Sequence, residues 1–554
     1  MMKRFRYALL FLFVFTACST EDEEVTVVHN VNGYTIQDNR LIQFEALSMQ
    51  GGRVLETGTF MEVTAYHSDA ELIDGEGRTL LPGLIDAHGH IMNLGFQEMD
   101  VNLSGIQSLE ETLQAVAEHA DNHPESEWIL GRGWNQVLWD ENEFPTAADL
   151  DRVISDRPVW LRRVDGHAGW ANTLAMERAG IAGGTPDPQG GRIIRDEEGR
   201  ATGIFIDTAM GYLTDELPPR TPAEREQALM LALDRIASLG ITSVHDAGIS
   251  DREWELYTKL ADEGGLPVRI YAMIRSTGDA FDRLSEEGPV EGYADDMLAM
   301  RAVKISADGA LGSRGAALLE EYSDDPGNHG LLFFDQEELD EMILKGASAG
   351  YQMNIHAIGD AANRQVLNAF ERLRSERGAD GLRHRIEHAQ VVHPEDIPRF
   401  QELDVIASMQ PTHATSDMNM AEDRVGADRI EGAYAWRTFL NQGTGISAGS
   451  DFPVEAVNPF YGLYSAVTRM DHDGQPEGGW YPEQSMTLEE AFRAFTVDAA
   501  WSAHQEEILG SLEPGKWADF ILLDRDPFSV PAEELWQVDV LETWVAGEQV
   551  YRAQ

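Results

Sequence analysis

Eight short apolar segments, separated by stretches with helical character, constrain the fold of this chain more than any other feature. In chain order they read LIDAHGHI, ITSVHDAG, VRIYAMI, RAVKISADG, YQMNIHAIG, RHRIEHAQ, VIASMQPTH and GISAGSDFP. Short, apolar segments of this kind are typical of buried parallel strands. Because strands that alternate with helices favour a parallel sheet, and eight of them can close on themselves, the sequence predicts a (β/α)8 barrel of the α/β class.

The helix that precedes the second segment has clear ends. The stretch TPAEREQALMLALDRIASLG begins with Thr221 and Glu224 at the spacing of a capping box, and Pro222 stands at the first helical position. Gly240 closes the stretch, as is common just past the end of a helix. The pattern predicts a helix that begins at Pro222 and ends just before Gly240.

The first segment ends in two histidines. His88 and His90 flank Gly89, and alternate side chains of a strand share one face, so both imidazoles can bind a single metal ion. A lone histidine beside a core is more often a hydrogen-bonded core residue than a ligand. The paired spacing shifts the balance toward metal binding.

Four more residues of ligand type stand toward the C-terminal ends of later segments. They are Lys304, His356, His388 and Asp451. Each has an ordinary explanation by itself, as a lysine that extends to solvent, a core histidine or a loop-capping aspartate. Catalytic residues of (β/α)8 barrels lie at this end of the strands. Because residues of ligand type recur at the same end of several strands, the sequence predicts that they share one metal site.

Length and charge limit the function classes. A chain of 554 residues exceeds the roughly 250–300 residues at which a single core stops growing, so we expect one large domain with smaller ones. The formal net charge of −54 argues against nucleic acid and anionic lipid as partners. The acids are spread along the chain, which favours a hydrated surface adapted to high salt over an ordinary acidic protein. We find no convincing glycine-rich phosphate loop and no serine-centred nucleophile motif.

The N-terminus has the order of a secretory signal. Basic residues precede the apolar run YALLFLFVF, which is too short to span a bilayer, and small residues follow it. Cys18, the only cysteine, directly follows Thr16 and Ala17, an arrangement that resembles the lipobox of bacterial lipoproteins. We expect residues 1–17 to be a signal peptide, Cys18 to be lipidated, residues 18–24 to form an acidic tether, and the protein to be exported to the cell envelope or periplasm. The alternative is a plain signal peptide or anchor with an incidental cysteine.

Seven motifs follow one another along the chain. They read LPGLIDAHGHI, VKISADGALGSRGAAL, NIHAIGD, RIEHAQ, MQPTHATSD, SAGSDFPV and LGSLEPGKWADFILLD. The ordered set resembles the amidohydrolase superfamily, specifically amidohydrolase family 3, which includes N-substituted formamide deformylase-like proteins. The resemblance covers nearly all of the chain from about residue 25 to residue 550.

The resemblance implies a TIM-like metal-dependent hydrolase barrel over residues 82–508. It also implies a small β-sandwich built from both chain ends, residues 25–81 and 509–554. Residues from about 97 to 207 are more than one βα connection needs, and we expect them to form an inserted subdomain that covers the barrel mouth.

The resemblance further implies the metal ligands. By analogy His88 and His90 would bind one divalent metal ion, and His356 and His388 would bind a second. We expect Zn²⁺, one or two ions per chain, although the same donor types also take other transition metals.

Two more residues complete the implied site. Lys304, carbamylated by CO₂, would bridge both metal ions, and a single metal with an unmodified Lys304 is the alternative. Asp451 would bind the first metal and act as the catalytic proton shuttle while metal-activated hydroxide attacks the substrate carbonyl.

Substrate contacts are expected from loops at the strand ends and from the insert. Arg314 and His413 follow strand ends and could hold a carbonyl or carboxylate group. Asp308 is expected either to touch substrate or to orient its neighbours. The insert adds tryptophans that either line a substrate channel or pack in a core, and Trp134 is the predicted substrate contact among them. They are Trp128, Trp134, Trp139 and Trp170.

The sequence therefore predicts a metal-dependent hydrolase that cleaves a C–N bond in a small-molecule amide or N-substituted formamide. Within the superfamily the alternative is a cyclic-amide hydrolase or a heterocycle deaminase, and Lys304 weighs against deamination. A binding or regulatory lipoprotein without turnover is the alternative of another class, and the complete ligand set weighs against it. The oligomeric state stays open, with a homodimer among the options.

Overall fold

The computed structural model describes residues 24–140, 142–379 and 381–554. The predicted signal peptide and the predicted lipidation site at Cys18 lie outside these residues. Within them, no helix combines the length and the apolar character needed to cross a membrane.

Eight parallel strands form a nearly closed barrel, which confirms the predicted fold class. Numbered in chain order with all other strands, they are β6 (Leu84–Gly89), β13 (Ile241–Ile249), β14 (Arg269–Arg275), β16 (Leu298–Ser306), β17 (Gln352–Ala357), β18 (Arg385–His388), β19 (Ile406–Met409) and β20 (Ile446–Ala448). They are hydrogen-bonded in this order, and β15 (Val290–Tyr293) adds an antiparallel edge to β16. A parallel bridge between Gly89 and Phe452 brings the segment after β20 back to β6.

Strands from residues 26–82 and 520–552 form one eight-stranded sheet. The sequence predicted a β-sandwich for this part of the chain. Its strands are β1 (Thr26–Gln37), β2 (Arg40–Gln50), β3 (Arg53–Gly58), β4 (Glu71–Asp74), β5 (Thr79–Pro82), β21 (Phe520–Leu523), β22 (Val540–Val545) and β23 (Glu548–Arg552). Neighbouring residues of β5 point to opposite faces, so Leu80 packs in the sheet's own core while Leu81 packs against the barrel. The face of this sheet that carries Leu81 therefore packs against the barrel.

A second sheet is inserted between β6 and β13. Its strands are β7 (Val101–Asn102), β8 (Ile129–Trp134), β9 (Val159–Arg163), β10 (Ala168–Ala171), β11 (Gly191–Arg195) and β12 (Ala201–Asp207), in the order β11-β12-β10-β9-β8-β7. It has a hydrophobic core of its own, which includes Trp134, Trp139 and Trp170. We refer to residues 101–207 as the inserted subdomain.

Helices connect and cover the strands. They are α1 (Phe60–Thr64), α2 (Ile91–Met99), α3 (Leu109–Asn122), α4 (Ala147–Asp151), α5 (Thr173–Arg178), α6 (Gly211–Thr214), α7 (Pro222–Ser238), α8 (Asp251–Asp262), α9 (Asp279–Leu284), α10 (Gln336–Ser348), α11 (Asp360–Arg377), α12 (Ile397–Glu402), α13 (Pro411–Asp417), α14 (Ala421–Val425), α15 (Trp436–Asn441), α16 (Pro459–Thr468), α17 (Leu488–Ala494) and α18 (Val497–Ser502). Short 3₁₀ turns lie at Gln136–Leu138, Thr208–Met210, Ile430–Gly432, Pro482–Gln484 and Ala532–Gln537.

Helix α7 has the predicted ends. Thr221 and Glu224 form a reciprocal capping box, and Pro222 is the first helical residue. Gly240 has a φ of 80°, a left-handed conformation that glycine adopts without steric cost. The predicted helix is confirmed at both ends.

Candidate metal site

Three buried side chains bring donor atoms together at the C-terminal mouth of the barrel. His88 lies on β6, His388 ends β18, and Asp451 follows β20; one donor atom from each lies within 4.8 Å of the others. His388 and Asp451 have φ values of 75° and 60°, which are unusual for residues other than glycine. Backbone outliers of this kind concentrate at functional sites, where the surrounding structure holds them in place.

Gly89 lets this strand end approach its neighbour. A Cβ atom on Gly89 would lie only 2.3 Å from the Phe452 ring. The Asp451 N–H donates to the His88 carbonyl at 2.7 Å, and the His90 N–H donates to the Phe452 carbonyl at 2.8 Å. The backbone itself therefore fixes both histidines of the H-G-H motif relative to Asp451.

A carboxylate orients His88. His88 Nδ1 lies 2.5 Å from Glu387 Oε2, and both side chains are fully buried. An Nδ1–H group that donates to this carboxylate leaves the Nε2 lone pair available to the site, the arrangement that metal-binding histidines usually show. His88 Nε2 lies 3.6 Å from Asp451 Oδ1 and makes no hydrogen bond to the residues that the structure describes.

Other imidazoles surround Asp451. His388 Nδ1 lies 2.7 Å from Gln410 Oε1, so the amide orients this ring as Glu387 orients His88. His90 Nε2 lies 3.0 Å from Asp451 Oδ1, and His413 Nε2 lies 3.7 Å from Asp451 Oδ2.

Burial and mutual charge set the protonation states. Burial lowers the pKa of His90 to about 4 and lowers the pKa of His388 well below its usual value. Burial alone would raise the pKa of Asp451, but the neighbouring imidazoles hold it well below its usual range. At neutral pH His90 and His388 are therefore neutral imidazoles beside the ionised carboxylate of Asp451, and these are the forms that bind metal ions.

Lys304 and His356 lie beside the cluster. The His356 and His388 ring centroids are 4.5 Å apart, and burial lowers the pKa of His356. Lys304 lines the same cavity and is only 7% exposed. Burial also lowers the pKa of Lys304. All six predicted metal ligands thus face one end of the barrel.

Asp308 takes an orienting position. Its side chain is fully buried and accepts backbone N–H groups of Ala317 at 2.9 Å and Gly359 at 2.8 Å. It also lies 3.3 Å from His356 Nε2. These contacts place Asp308 behind His356 and outside the cavity lining, which is the position of a residue that orients its neighbours, the second of the two predicted roles.

Two other predicted substrate contacts are also outside this cavity. Arg314 pairs with Asp324 at 3.0 Å and lines a separate recess of about 420 Å³. Trp134 is fully buried in the subdomain core, where its indole N–H donates to the Leu161 carbonyl at 3.0 Å. Only His413, among the predicted substrate contacts, lines the cavity over the metal site.

The inserted subdomain forms the opposite wall of this cavity, whose volume is about 1090 Å³. There His167 Nδ1 lies 2.7 Å from Asp207 Oδ1. Burial opposes protonation, but the hydrogen bond and the charge of Asp207 raise the pKa of His167. The His167 and His356 ring centroids are 5.9 Å apart, so the subdomain places an imidazole next to the barrel histidines.

Glu387, Gln410 and Asp207 were not predicted from the sequence. One signal was available for Glu387, because a charged residue in the middle of a predicted buried strand needs a buried partner. Asp207 and His167 are 40 residues apart, and only the antiparallel pairing of β10 with β12 brings them together. Sequence spacing carries no signal for that contact.

The donor set fits a divalent transition metal. His88 Nε2 and Asp451 Oδ1 are both buried, and neither makes a hydrogen bond of satisfactory geometry within the described part of the chain. A buried nitrogen or oxygen lone pair without a partner costs free energy, and a cation bound to that lone pair removes this cost. Two imidazole nitrogens and one carboxylate oxygen are ligands that Zn²⁺ accepts, with a further position for water or substrate.

Comparisons with known proteins agree with this geometry. The sequence model of the amidohydrolase family matches residues 71–551. Protein LONG AFTER FAR-RED 3 of Arabidopsis thaliana is 33% identical over 93% of this chain and 89% of its own length. The N-substituted formamide deformylase of Arthrobacter pascens is 29% identical over 94% of this chain and 97% of its own length. The crystal structure of an uncharacterized metal-dependent hydrolase from Pyrococcus horikoshii OT3 superposes with a TM-score of 0.74 at 28% identity, covering 92% of this chain and 99% of that one.

Proposed function

This chain belongs to the amidohydrolase family and is a hydrolase of C–N bonds, and we propose that its substrate is a linear amide or an N-substituted formamide. The observation that carries the proposal is the buried cluster of His88, His388 and Asp451 with its unpaired donor atoms. The likeness to a formamide deformylase over nearly the whole length of both chains supports the substrate class.

The cluster would hold the metal ion, and its other residues would handle the substrate and protons. When bound, the metal supplies Lewis acidity and lowers the pKa of a coordinated water. The pKa of Asp451 lies well below its usual range, so its carboxylate is ready to accept a proton from the attacking water. The same group then donates that proton to the departing amine, so one residue acts first as base and then as acid.

Lys304 is the proposed bridging residue. Burial lowers the pKa of its amine, which raises the fraction of neutral amine that can react with CO₂. In that reaction a bond forms between Nζ and the carbon of CO₂, and a proton is released to solvent. The product is an anionic oxygen ligand, which suits a second metal beside His356. Carbon-13 NMR with labelled bicarbonate tests this step, because a carbamate resonance that is absent from a Lys304→Met variant identifies the residue.

Metal content per chain, measured by plasma mass spectrometry on protein purified without chelator, tests the proposed centre. About two ions per chain support the bridged pair and about one supports an unmodified Lys304 with deaminase-like chemistry. Release of formate from N-benzylformamide, measured on the same sample, then tests the substrate class. A protein that binds no metal even after added Zn²⁺ and bicarbonate, and releases no formate, would instead be a binding protein on this fold.

We also propose that the protein is exported and anchored through a lipid on Cys18, because the basic, apolar and small residues of the N-terminus stand in the order of a lipoprotein signal. Labelling with a radioactive fatty acid tests this. Incorporation into the wild type but not into Cys18→Ala supports the anchor, and equal absence from both contradicts it.

A further inference from the structure

Two arginines stand side by side on the subdomain wall of the cavity. Arg132 on β8 and Arg162 on β9 are register partners in parallel strands, so their side chains leave the same face of the sheet at the same level. Both line the cavity that contains the metal cluster. A methyl group placed on Gly166 would lie 3.2 Å from Arg162 Nη2 and 3.6 Å from Arg132 Nη1. The two guanidinium groups therefore converge on one point.

The hydrogen-bonding capacity of both groups is mostly unused. Arg132 Nη2 donates to the Val164 carbonyl at 2.8 Å, and Arg162 Nη2 donates to the Gly166 carbonyl at 3.1 Å. Each makes no other hydrogen bond to the described residues, and the Nε atom of each is buried without a partner. A guanidinium carries five N–H donors, so most of the donors on this wall are free for a ligand.

Neither group has a carboxylate partner. Among the described residues, neither guanidinium has an Asp or Glu oxygen within 4.0 Å, although acidic residues outnumber basic ones by 96 to 42. The charge of Asp165 favours both cations only from a longer distance. The adjacent Arg163 shows the contrast, because it pairs with Asp165 at 2.6 Å and bonds to Gln136 at 2.8 Å.

This arrangement is costly without a ligand. Like charges directly across from each other in a sheet repel, and Arg132 is only 7% exposed, so little water screens the repulsion. Burial and the charge of Arg162 together lower the pKa of Arg132 to about 9, so it is still a cation at neutral pH. A bound anion would offset the repulsion between the two guanidinium groups and would accept hydrogen bonds from their unpaired N–H groups.

We propose that Arg132 and Arg162 bind a carboxylate carried by the substrate, so that the enzyme prefers acidic amides such as N-acyl or N-formyl amino acids. This inference rests on the proposed hydrolase function, because it assigns the anionic half of the substrate to the subdomain wall and the scissile bond to the barrel wall. Two adjacent guanidinium groups match the two oxygens of a carboxylate better than ammonium groups would.

The first measurement compares N-formylphenylalanine with its uncharged carboxamide on the metal-loaded enzyme at constant ionic strength. We expect kcat/KM to favour the acid by at least tenfold in the wild type. Arg132→Gln and Arg162→Gln should each reduce that preference at least fivefold, mainly through KM for the acid, while the carboxamide is little affected. Arg132→Lys should keep part of the preference, and thermal unfolding of each variant checks that it is folded. The matched control is Arg192→Gln, an exposed arginine on β11 of the same sheet, which should leave the preference unchanged.

A second measurement needs no turnover. Calorimetric binding of 3-phenylpropionate and 3-phenylpropanol compares an anion with a neutral ligand, neither of which has a C–N bond. If Arg132→Gln binds the anion at least fivefold more weakly than the wild type does, the anion site is supported. If, in addition, neither formyl compound is hydrolysed, the proposed hydrolytic function fails while the anion site stands. Equal hydrolysis of both compounds, with unchanged anion binding in both glutamine variants, overturns the anion site and leaves the proposed function standing.

Discussion

The two walls of the cavity carry opposite chemistry. The barrel wall presents lone pairs from His88, His388 and Asp451, whereas the subdomain wall presents N–H donors from Arg132 and Arg162. The barrel wall is therefore built for a cation, and the subdomain wall is built for an anion.

The fold assigns these two kinds of binding group to two separate sheets. The barrel residues stand on strand ends whose positions are fixed by the parallel sheet, which suits a metal centre that tolerates little displacement. The subdomain is a separate sheet with its own core, so its wall can change without disturbing the barrel. We expect substitutions on the first wall to abolish the chemistry, and substitutions on the second to change which substrates are used.

The largest effect is expected at Asp451. Asp451→Asn keeps the shape of the side chain but removes the proton acceptor, so kcat/KM should fall by about a thousandfold. Metal content, measured on the same sample, separates loss of the proton carrier from loss of the metal. Unchanged activity with full metal content would contradict the role of Asp451. The barrel wall would then be no more important for the chemistry than the subdomain wall.

A smaller effect is expected at Glu387. Glu387→Gln removes the negative charge that orients His88, and partners of metal-binding histidines typically contribute about 10–100-fold to metal affinity or activity. Competition with a chelator measures the affinity. The control is Asp340→Asn, since Asp340 is also buried and paired, with Arg372, but lies on helix α10 away from the site. Equal metal affinity in Glu387→Gln and wild type would show that His88 needs no charged partner.

His167 tests whether the subdomain wall takes part in turnover. Its Nδ1–H donates to Asp207, which directs the other ring nitrogen to the cavity. We expect His167→Gln to lower kcat/KM about tenfold, the value of one lost hydrogen bond to substrate, without loss of metal. If this variant also lost metal, His167 would belong to the metal centre. Metal binding would then no longer be confined to the barrel wall.

The barrel wall could be predicted because its signals are local. Period-two spacing puts His88 and His90 on one face, and the rule that active sites lie at the C-terminal ends of barrel strands brings His356, His388 and Asp451 to the same level. The eight strands and helix α7 were predictable for the same reason, since apolar segments and helix caps are read from neighbouring residues.

The subdomain wall could not be predicted, because its contacts join distant residues. Arg132 and Arg162 are 30 positions apart, and only the register of β8 with β9 makes them neighbours. The sequence likewise does not distinguish a buried tryptophan from one that lines a channel, because both environments favour aromatic side chains.

Trp134 provides the smallest expected effect on activity and the sharpest test of that last distinction. Its ring packs 6.0 Å from that of Trp170, and its N–H donates to the Leu161 carbonyl. Trp134→Phe removes this hydrogen bond and some buried volume, so we expect the free energy of unfolding to fall by about 2 kcal/mol. Because Trp134 does not line the cavity, kcat/KM should stay within about twofold of wild type, a change no larger than a surface substitution produces. Denaturant titration and steady-state kinetics on the same variant measure both quantities. A fall in kcat/KM without a fall in stability would show that Trp134 contacts the substrate. The subdomain wall would then bind substrate through an aromatic side chain as well as through the two arginines.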